Sequence, residues 1–333
     1  MLRTTFFIVF SFLISWSAVE AQDLHYSQFF NSPLNLSPSL TGAFNGDQRY
    51  HLNYRKQWAS VPVNYISGDV GADFKLRNKK NSNYLGLGGL INYDEAGDLG
   101  LNFTGLNLFA SYSIKLSTKS ELTPAVTVSY AQRKIDYSSA RTGGQWDGVK
   151  FDPNIPAEVL NLDNFSYFDI GAGLNYRWQS AYRKHLDIGI SAYHLIKPID
   201  SFNSNATYVS ERPMRISAYA MFNYPIAGGL DIILNGLYAK QDSYSEKVIN
   251  AQLKIYIGKN QNTAFYLGGG YRFDDAWYPM AAIEIGRVYG AFSYDFNISD
   301  FEFVSGGEGG PELSLRYIIA NIPKGINKPC PLY

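Results

Sequence analysis

From residue 48 to near the C-terminus, apolar and polar residues alternate. Tyr50, Leu52 and Tyr54 interleave with His51, Asn53 and Arg55. Phe168, Ile170, Ala172, Leu174, Tyr176 and Trp178 interleave with Asp169, Gly171, Gly173, Asn175, Arg177 and Gln179. Phe265, Leu267, Tyr271 and Phe273 sit among small or polar partners. A period of two sends alternate side chains to opposite faces of a strand. The pattern predicts about fourteen strands, near 48–57, 64–76, 83–94, 100–116, 120–136, 165–179, 184–197, 212–224, 229–240, 245–258, 262–274, 277–287, 288–298 and 311–320. An even set of such strands can close into an all-β, transmembrane antiparallel barrel, oily outside and wet inside, with both termini at one end.

The connections sort by parity. Every second one is tight or basic: Asn78-Lys79-Lys80-Asn81, Ser117-Thr118-Lys119, Gln179 to Lys184, Pro225 to Gly228, Lys259-Asn260-Gln261, and the turn near Arg287. The long ones, 137–164, 198–211 and 299–310, fall in the other set, with shorter members near 57–63, 95–99, 241–244 and 274–276. Outer-membrane barrels have short periplasmic turns and long external loops, so this parity assigns sides. The loop 137–164, with Arg141, Trp146 and Phe151-Asp152-Pro153, should face outward as an ordered flap or as surface decoration.

The chain divides into four parts. Residues 1–21 carry a positive start, an apolar run from Phe6 to Trp16 and a small residue at Ala21. That is the form of a Sec signal peptide cleaved before Gln22. Residues 22–47 are expected as a short irregular periplasmic segment. Tyr26, Phe29, Phe30, Leu34, Leu36, Leu40 and Phe44 make it too apolar to hang in water, and Pro33 and Pro38 prevent a long helix. It should pack against the barrel mouth, the lumen or a partner, and the pattern leaves these open. Residues 48–320 form the barrel, and 321–333 a periplasmic tail.

Composition changes the picture in three ways. The 26 tyrosines and 21 phenylalanines suit aromatic girdles at two lipid–water boundaries. A formal net charge of +0 gives no electrostatic case for nucleic acid. No stretch after the leader is long and apolar enough for a transmembrane helix. The lone Cys330 cannot form an internal disulfide.

Candidate chemistry is sparse. His25, His51, His185 and His194 show no metal-binding spacing, and no G-x-S-x-G elbow is present. A hydrolase pairing His51 or His194 with a strand serine is a distant reading. Gly86-Leu87-Gly88-Gly89 and Gly268-Gly269-Gly270 lack the lysine and helix of a phosphate loop, and fit bends or close packing instead. Asp94, Glu95 and Asp98, like Asp274 and Asp275, fit solvated turns better than a cation site. No catalytic, cofactor or metal residue is assigned. Inward positions carry Arg55, Arg177, Arg215, Arg272 and Arg316 with Asp169, Asp187, Asp231 and Glu284, a mixed-charge lumen or a pore without ion preference.

The run Gln22-Asp23-Leu24-His25-Tyr26-Ser27-Gln28-Phe29-Phe30-Asn31-Ser32-Pro33-Leu34-Asn35-Leu36-Ser37-Pro38-Ser39-Leu40-Thr41-Gly42 resembles the mature start of the PorP/SprF family of Bacteroidota. Tyr54-Arg55-Lys56-Gln57-Trp58, Phe151-Asp152-Pro153 and Phe168-Asp169-Ile170-Gly171-Ala172-Gly173-Leu174 extend the likeness over essentially the whole mature chain. The resemblance implies a non-enzymatic outer-membrane barrel without cofactors, working beside type IX secretion components and, in some relatives, in gliding. It implies support for export or surface anchoring of a large adhesin with a C-terminal signal domain and, in some systems, a periplasmic peptidoglycan-binding partner. The runner-up is a channel for a small solute. Partner-binding residues are expected at Tyr26, Phe29, Phe30, Leu34, Leu36, Leu40, Trp146 and Phe151.

Overall fold

The computed structural model describes residues 23–57, 65–77, 83–97, 99–135, 142–156, 158, 164–202, 210–258, 261–299 and 306–320. The leader, Asp98, Arg141, the turns at 78–82 and 259–260, and the tail with Cys330 lie outside the described residues.

Fourteen antiparallel strands form one closed barrel. They are β1 (Gln48–Lys56), β2 (Tyr65–Arg77), β3 (Tyr84–Ala96), β4 (Leu101–Lys115), β5 (Ser120–Lys134), β6 (Phe165–Ala181), β7 (Lys184–Tyr193), β8 (Arg215–Ala227), β9 (Leu230–Gln241), β10 (Tyr244–Ile257), β11 (Thr263–Arg272), β12 (Ala276–Ile285), β13 (Val288–Asn297) and β14 (Glu308–Ile319). Each pairs with its sequence neighbours. The sheet closes where β1 meets β14, with Gln48 opposite Ile319 and Arg55 opposite Glu312. Closure leaves no unpaired edge, the condition for a sheet that crosses hydrocarbon.

The fourteen strands match the alternation, with one notable shift. β7 stops at Tyr193, whereas the pattern carried it to 197. His194 has a left-handed backbone (φ 58), and its amide donates to the Asp169 carboxylate, which ends the ladder. The connections 116–119, 182–183, 228–229 and 286–287 lie at one end of the barrel, the turn end. The strand ends Lys134 and Phe165, Tyr193 and Arg215, and Asn297 and Glu308 lie at the other, the loop end.

The usual distribution of polarity is inverted. Leu52, Val70, Ile91, Leu108, Val128, Ile190, Leu267 and Leu315 are exposed on the outer face, while Arg55, Asp69, Asp73, Asn175, Arg272 and Glu312 are buried inside. Rings cluster near both ends of that aliphatic band. Tyr50 meets Phe74 and Tyr317 toward the turn end, and Tyr130–Phe168 and Trp277–Phe296 meet toward the loop end. An aliphatic band between two aromatic girdles is the exterior of a membrane barrel. Among the described residues, no helix is long and apolar enough to cross a membrane.

The interior shows where the irregular segment packs. Of the barrel mouth, the lumen and a partner, which the pattern left open, residues 23–47 take the lumen. Asp23 meets Arg212 and His194 at the loop end, and Asn45 meets Gln179 and Tyr182 at the turn end. The chain therefore threads the barrel from end to end before β1 begins. Two 3-10 turns, Phe29–Asn31 and Pro38–Leu40, flank one helical turn at Pro33–Leu36. The prolines at the start of the last two turns forgo an amide that would have no partner there.

Candidate functional site: a lumen filled by the N-terminal segment

An irregular backbone inside a barrel must find hydrogen-bond partners away from bulk water. The inward wall residues supply them in sequence. Glu312 accepts from the amides of Ser27 (2.9 Å) and Gln28 (2.8 Å). The Ser27 hydroxyl donates to Asp295 (2.7 Å), and its carbonyl accepts from Tyr278 (2.7 Å). The Arg55 guanidinium bridges the His25 carbonyl and Asp295, both at 2.8 Å. Further down, Asp69 accepts from Ser32 (2.7 Å) and Asn35 (3.0 Å). Tyr193 donates to the Leu34 carbonyl, Ser191 to that of Leu36 and Arg49 to that of Leu40. Asp73 accepts from the Gly42 amide (2.7 Å) while holding Arg49 with two bonds of 2.9 Å.

The apolar side chains of the segment make two small cores. Phe29, Leu36, Leu40 and Ala43 join Tyr219, Leu237, Val248, Tyr266, Tyr278, Met280 and Tyr289. Leu34 packs with Leu90 and Phe109. The wall is small where the segment passes closest. A Cβ at Gly86 would lie 2.6 Å from the Thr41 carbonyl, and one at Gly173 would lie 2.6 Å from the Ser37 hydroxyl. Gly86 and Gly88 of the glycine-rich stretch thus pack closely against the segment at Thr41. Gly42 itself takes a positive φ of 75 as the chain turns toward β1.

The loop end of the segment is held electrostatically. Asp23 is clasped by Arg212 and by His194 Nε2 (2.8 Å), and His194 Nδ1 meets Asp169 (2.8 Å). Arg212 also pairs with Asp200. Burial alone would raise the Asp23 pKa, yet Arg212 and His194 outweigh it and hold the carboxyl well below its usual range. Burial alone would lower His194, yet Asp23 and Asp169 push it up to about 9. Among the described residues, neither histidine of the hydrolase reading meets a serine: His194 sits between carboxylates, and His51 has no hydrogen-bond partner on its buried ring.

Of the residues singled out from sequence, Tyr26, Phe29, Leu34, Leu36 and Leu40 come together inside the lumen and are buried. Phe30 is half-buried and lines an open cavity at the turn end. Trp146 and Phe151 lie apart from these, opposite one another across a bridge in the long β5–β6 connection. Gln145 braces that loop by donating to the Ile155 carbonyl (3.1 Å), and Trp146 is 58% exposed. The apolar signal did not single out the polar clamps of the segment: Asp23, Ser27, Gln28, Ser32 and Asn35. The signal for them was the mixture itself, since Ser, Asn and Gln between leucines and phenylalanines suit a chain that needs both polar and apolar partners.

These features define an outer-membrane β-barrel whose lumen is occupied by its own N-terminal segment. Among solved structures the chain is similar to the crystal structure of a Pseudomonas aeruginosa FadL homologue, with TM-score 0.50 and 10% identity over 84% of this chain and 92% of that one. It is also similar to the TodX deltaS2S3 mutant monoaromatic hydrocarbon channel, with TM-score 0.50 and 7% identity over 86% and 93%. At such identities the likeness is one of fold alone. No curated protein sequence matches the chain. The chain belongs to the PorP/SprF family, described as type IX secretion system membrane protein PorP/SprF, which matches residues 18–317.

Proposed function

We propose that this protein is a non-enzymatic accessory of type IX secretion that supports export or surface anchoring of a large adhesin-type protein carrying a C-terminal signal domain. Family membership supports the secretion role. The observation that carries the rest is the filled lumen. With Phe29, Leu34, Leu36 and Leu40 packed inside and Glu312 and Asp69 bonded to the segment, the barrel is built as an anchor rather than as an open conduit. That favours the accessory role over the runner-up, a channel for a small solute.

On this reading the turn end faces the periplasm, the loop end faces outward, and a leader is removed before Gln22. Trp146 and Phe151 offer an outward surface to the adhesin. Phe30 is the singled-out lumen residue that a periplasmic partner, such as a peptidoglycan-binding protein, could reach. Tyr26, Phe29, Leu34, Leu36 and Leu40 act by fixing the segment. Deleting the gene should remove one adhesin from the cell surface while other type IX cargo is still secreted, read by surface proteomics and culture-fluid analysis. Unchanged surface display of every such cargo would reject the role.

A further inference from the structure

The segment fills the lumen unevenly. It leaves a cavity of about 520 Å³ at the turn end, bounded by its own residues from Phe30 to Asn45 and mostly by β7–β14. The cations in this cavity differ in how they are balanced. Arg49 is paired with Asp73, Arg177 with Asp187, and Arg183 with Asp231. Lys254 sits 3.2 Å from Glu284, which also accepts from the Tyr266 hydroxyl. Arg316 and Arg287 line the same cavity and, among the described residues, have no carboxylate within ion-pair distance. Arg316 lies 4.3 Å over the Tyr289 ring, and Glu284 across the cavity attracts it only from beyond ion-pair distance. Arg287 stands exposed in the turn after β12.

We propose that this vestibule is a binding site for a carboxylate-bearing ligand, with Arg316 and Arg287 as its recognising groups. A guanidinium in a partly enclosed, low-dielectric cavity gains most from a planar carboxylate that takes two parallel hydrogen bonds. The rings of Tyr266 and Tyr289 line the cavity beside Arg316, and Asn235 and Gln252, whose amides donate to Asn250, add side-chain carbonyls to its wall. The cavity opens to the solvent at the turn end, so the ligand enters there. The inference rests on the cavity and its charges, independently of the secretion role.

The test uses the full mature chain in detergent and calorimetric titration with two probes, an acetylated Asp-Glu-Asp-Glu peptide amide and citrate. An acetylated Asn-Gln-Asn-Gln amide is the uncharged reference. The acidic peptide should bind saturably and the reference should not. Each of Arg316→Gln and Arg287→Gln should weaken binding roughly tenfold, the loss of one charge-assisted pair. Lys240→Gln, an exposed cation near the loop end, should leave binding unchanged. Binding of the peptide alone assigns the site to acidic protein segments, and comparable binding of citrate assigns it to small carboxylates; both uphold a carboxylate site. Equal binding of the amide reference, or unchanged affinity in the folded arginine variants, overturns it. Arg287 is an exposed turn residue, so its variant decides the matter even if Arg316→Gln does not fold.

Discussion

Neighbouring side chains in one strand of this barrel answer to different solvents. Leu174 points out and is exposed, while the next residue inward, Gly173, touches the segment at Ser37 and Pro38. Leu174→Arg should cost roughly 2–4 kcal/mol if the position lies near bilayer mid-depth. Gly173→Arg should act by steric conflict instead, displacing Ser37. Urea titration of the two variants refolded in lipid vesicles separates them: added lipid thickness should worsen the first and leave the second unchanged. Equal dependence on lipid would mean the faces are misassigned. A buried ion pair gives a second residue-scale expectation. Arg49→Ala leaves Asp73 buried with only the Gly42 amide for company and frees the Leu40 carbonyl. The expected loss is about 3–5 kcal/mol, and Asp73→Asn in the same background should recover part of it, because an amide costs less to leave unpaired than a charge.

The segment shows how far the sequence could be read and where it stopped. The strands were legible because lipid forces strict alternation. Leu52, Val70 and Leu315 had to be apolar whatever lay inside the barrel. The segment's apolar residues were equally visible, but their burial site was not. Phe29 and Leu36 would look the same against a partner as against Tyr219 and Met280. The deciding contacts pair residues far apart in the chain, such as Ser27 with Glu312 and Asp23 with Arg212, and no local period records such pairs. The Asp23 clasp also predicts a pH dependence. His194 has a raised pKa, so its contribution is complete below the ordinary imidazole value and fades as pH rises through about 9. Asp23 has a lowered pKa, so its contribution is complete above the ordinary carboxylate value and fades only in acid. The clasp should therefore hold from mildly acidic to neutral pH and loosen in alkali. Subtilisin should cut the segment near Asp23 faster at pH 10 than at pH 7.5, after correction for the enzyme's own profile, and His194→Gln should flatten that difference.

At the scale of the whole molecule, two structures share one space. The barrel's backbone is satisfied strand to strand around a closed ring, so its ladder does not depend on the segment. The lumen does depend on it. Removing residues 23–44 would strip partners from Glu312, Asp295, Asp69 and Asp73 and from Arg49 and Arg55, and would expose Leu90, Phe109 and the tyrosines of the larger core. Water would enter to solvate the freed charges, and a barrel of this strand number is wide enough to admit it. The truncated protein should still insert in lipid with strand-rich circular dichroism, should unfold at lower denaturant than the full chain, and should pass ions in planar bilayers where the full chain is silent. A synthetic peptide spanning 23–44 should close the pore again, because the wall's partners are already in place. Steady conductance from the full chain would mean that the segment leaves a continuous path. Failure of the truncated chain to insert at all would mean that the barrel closes around its segment during assembly, so that the plug is a template for the fold as well as a seal.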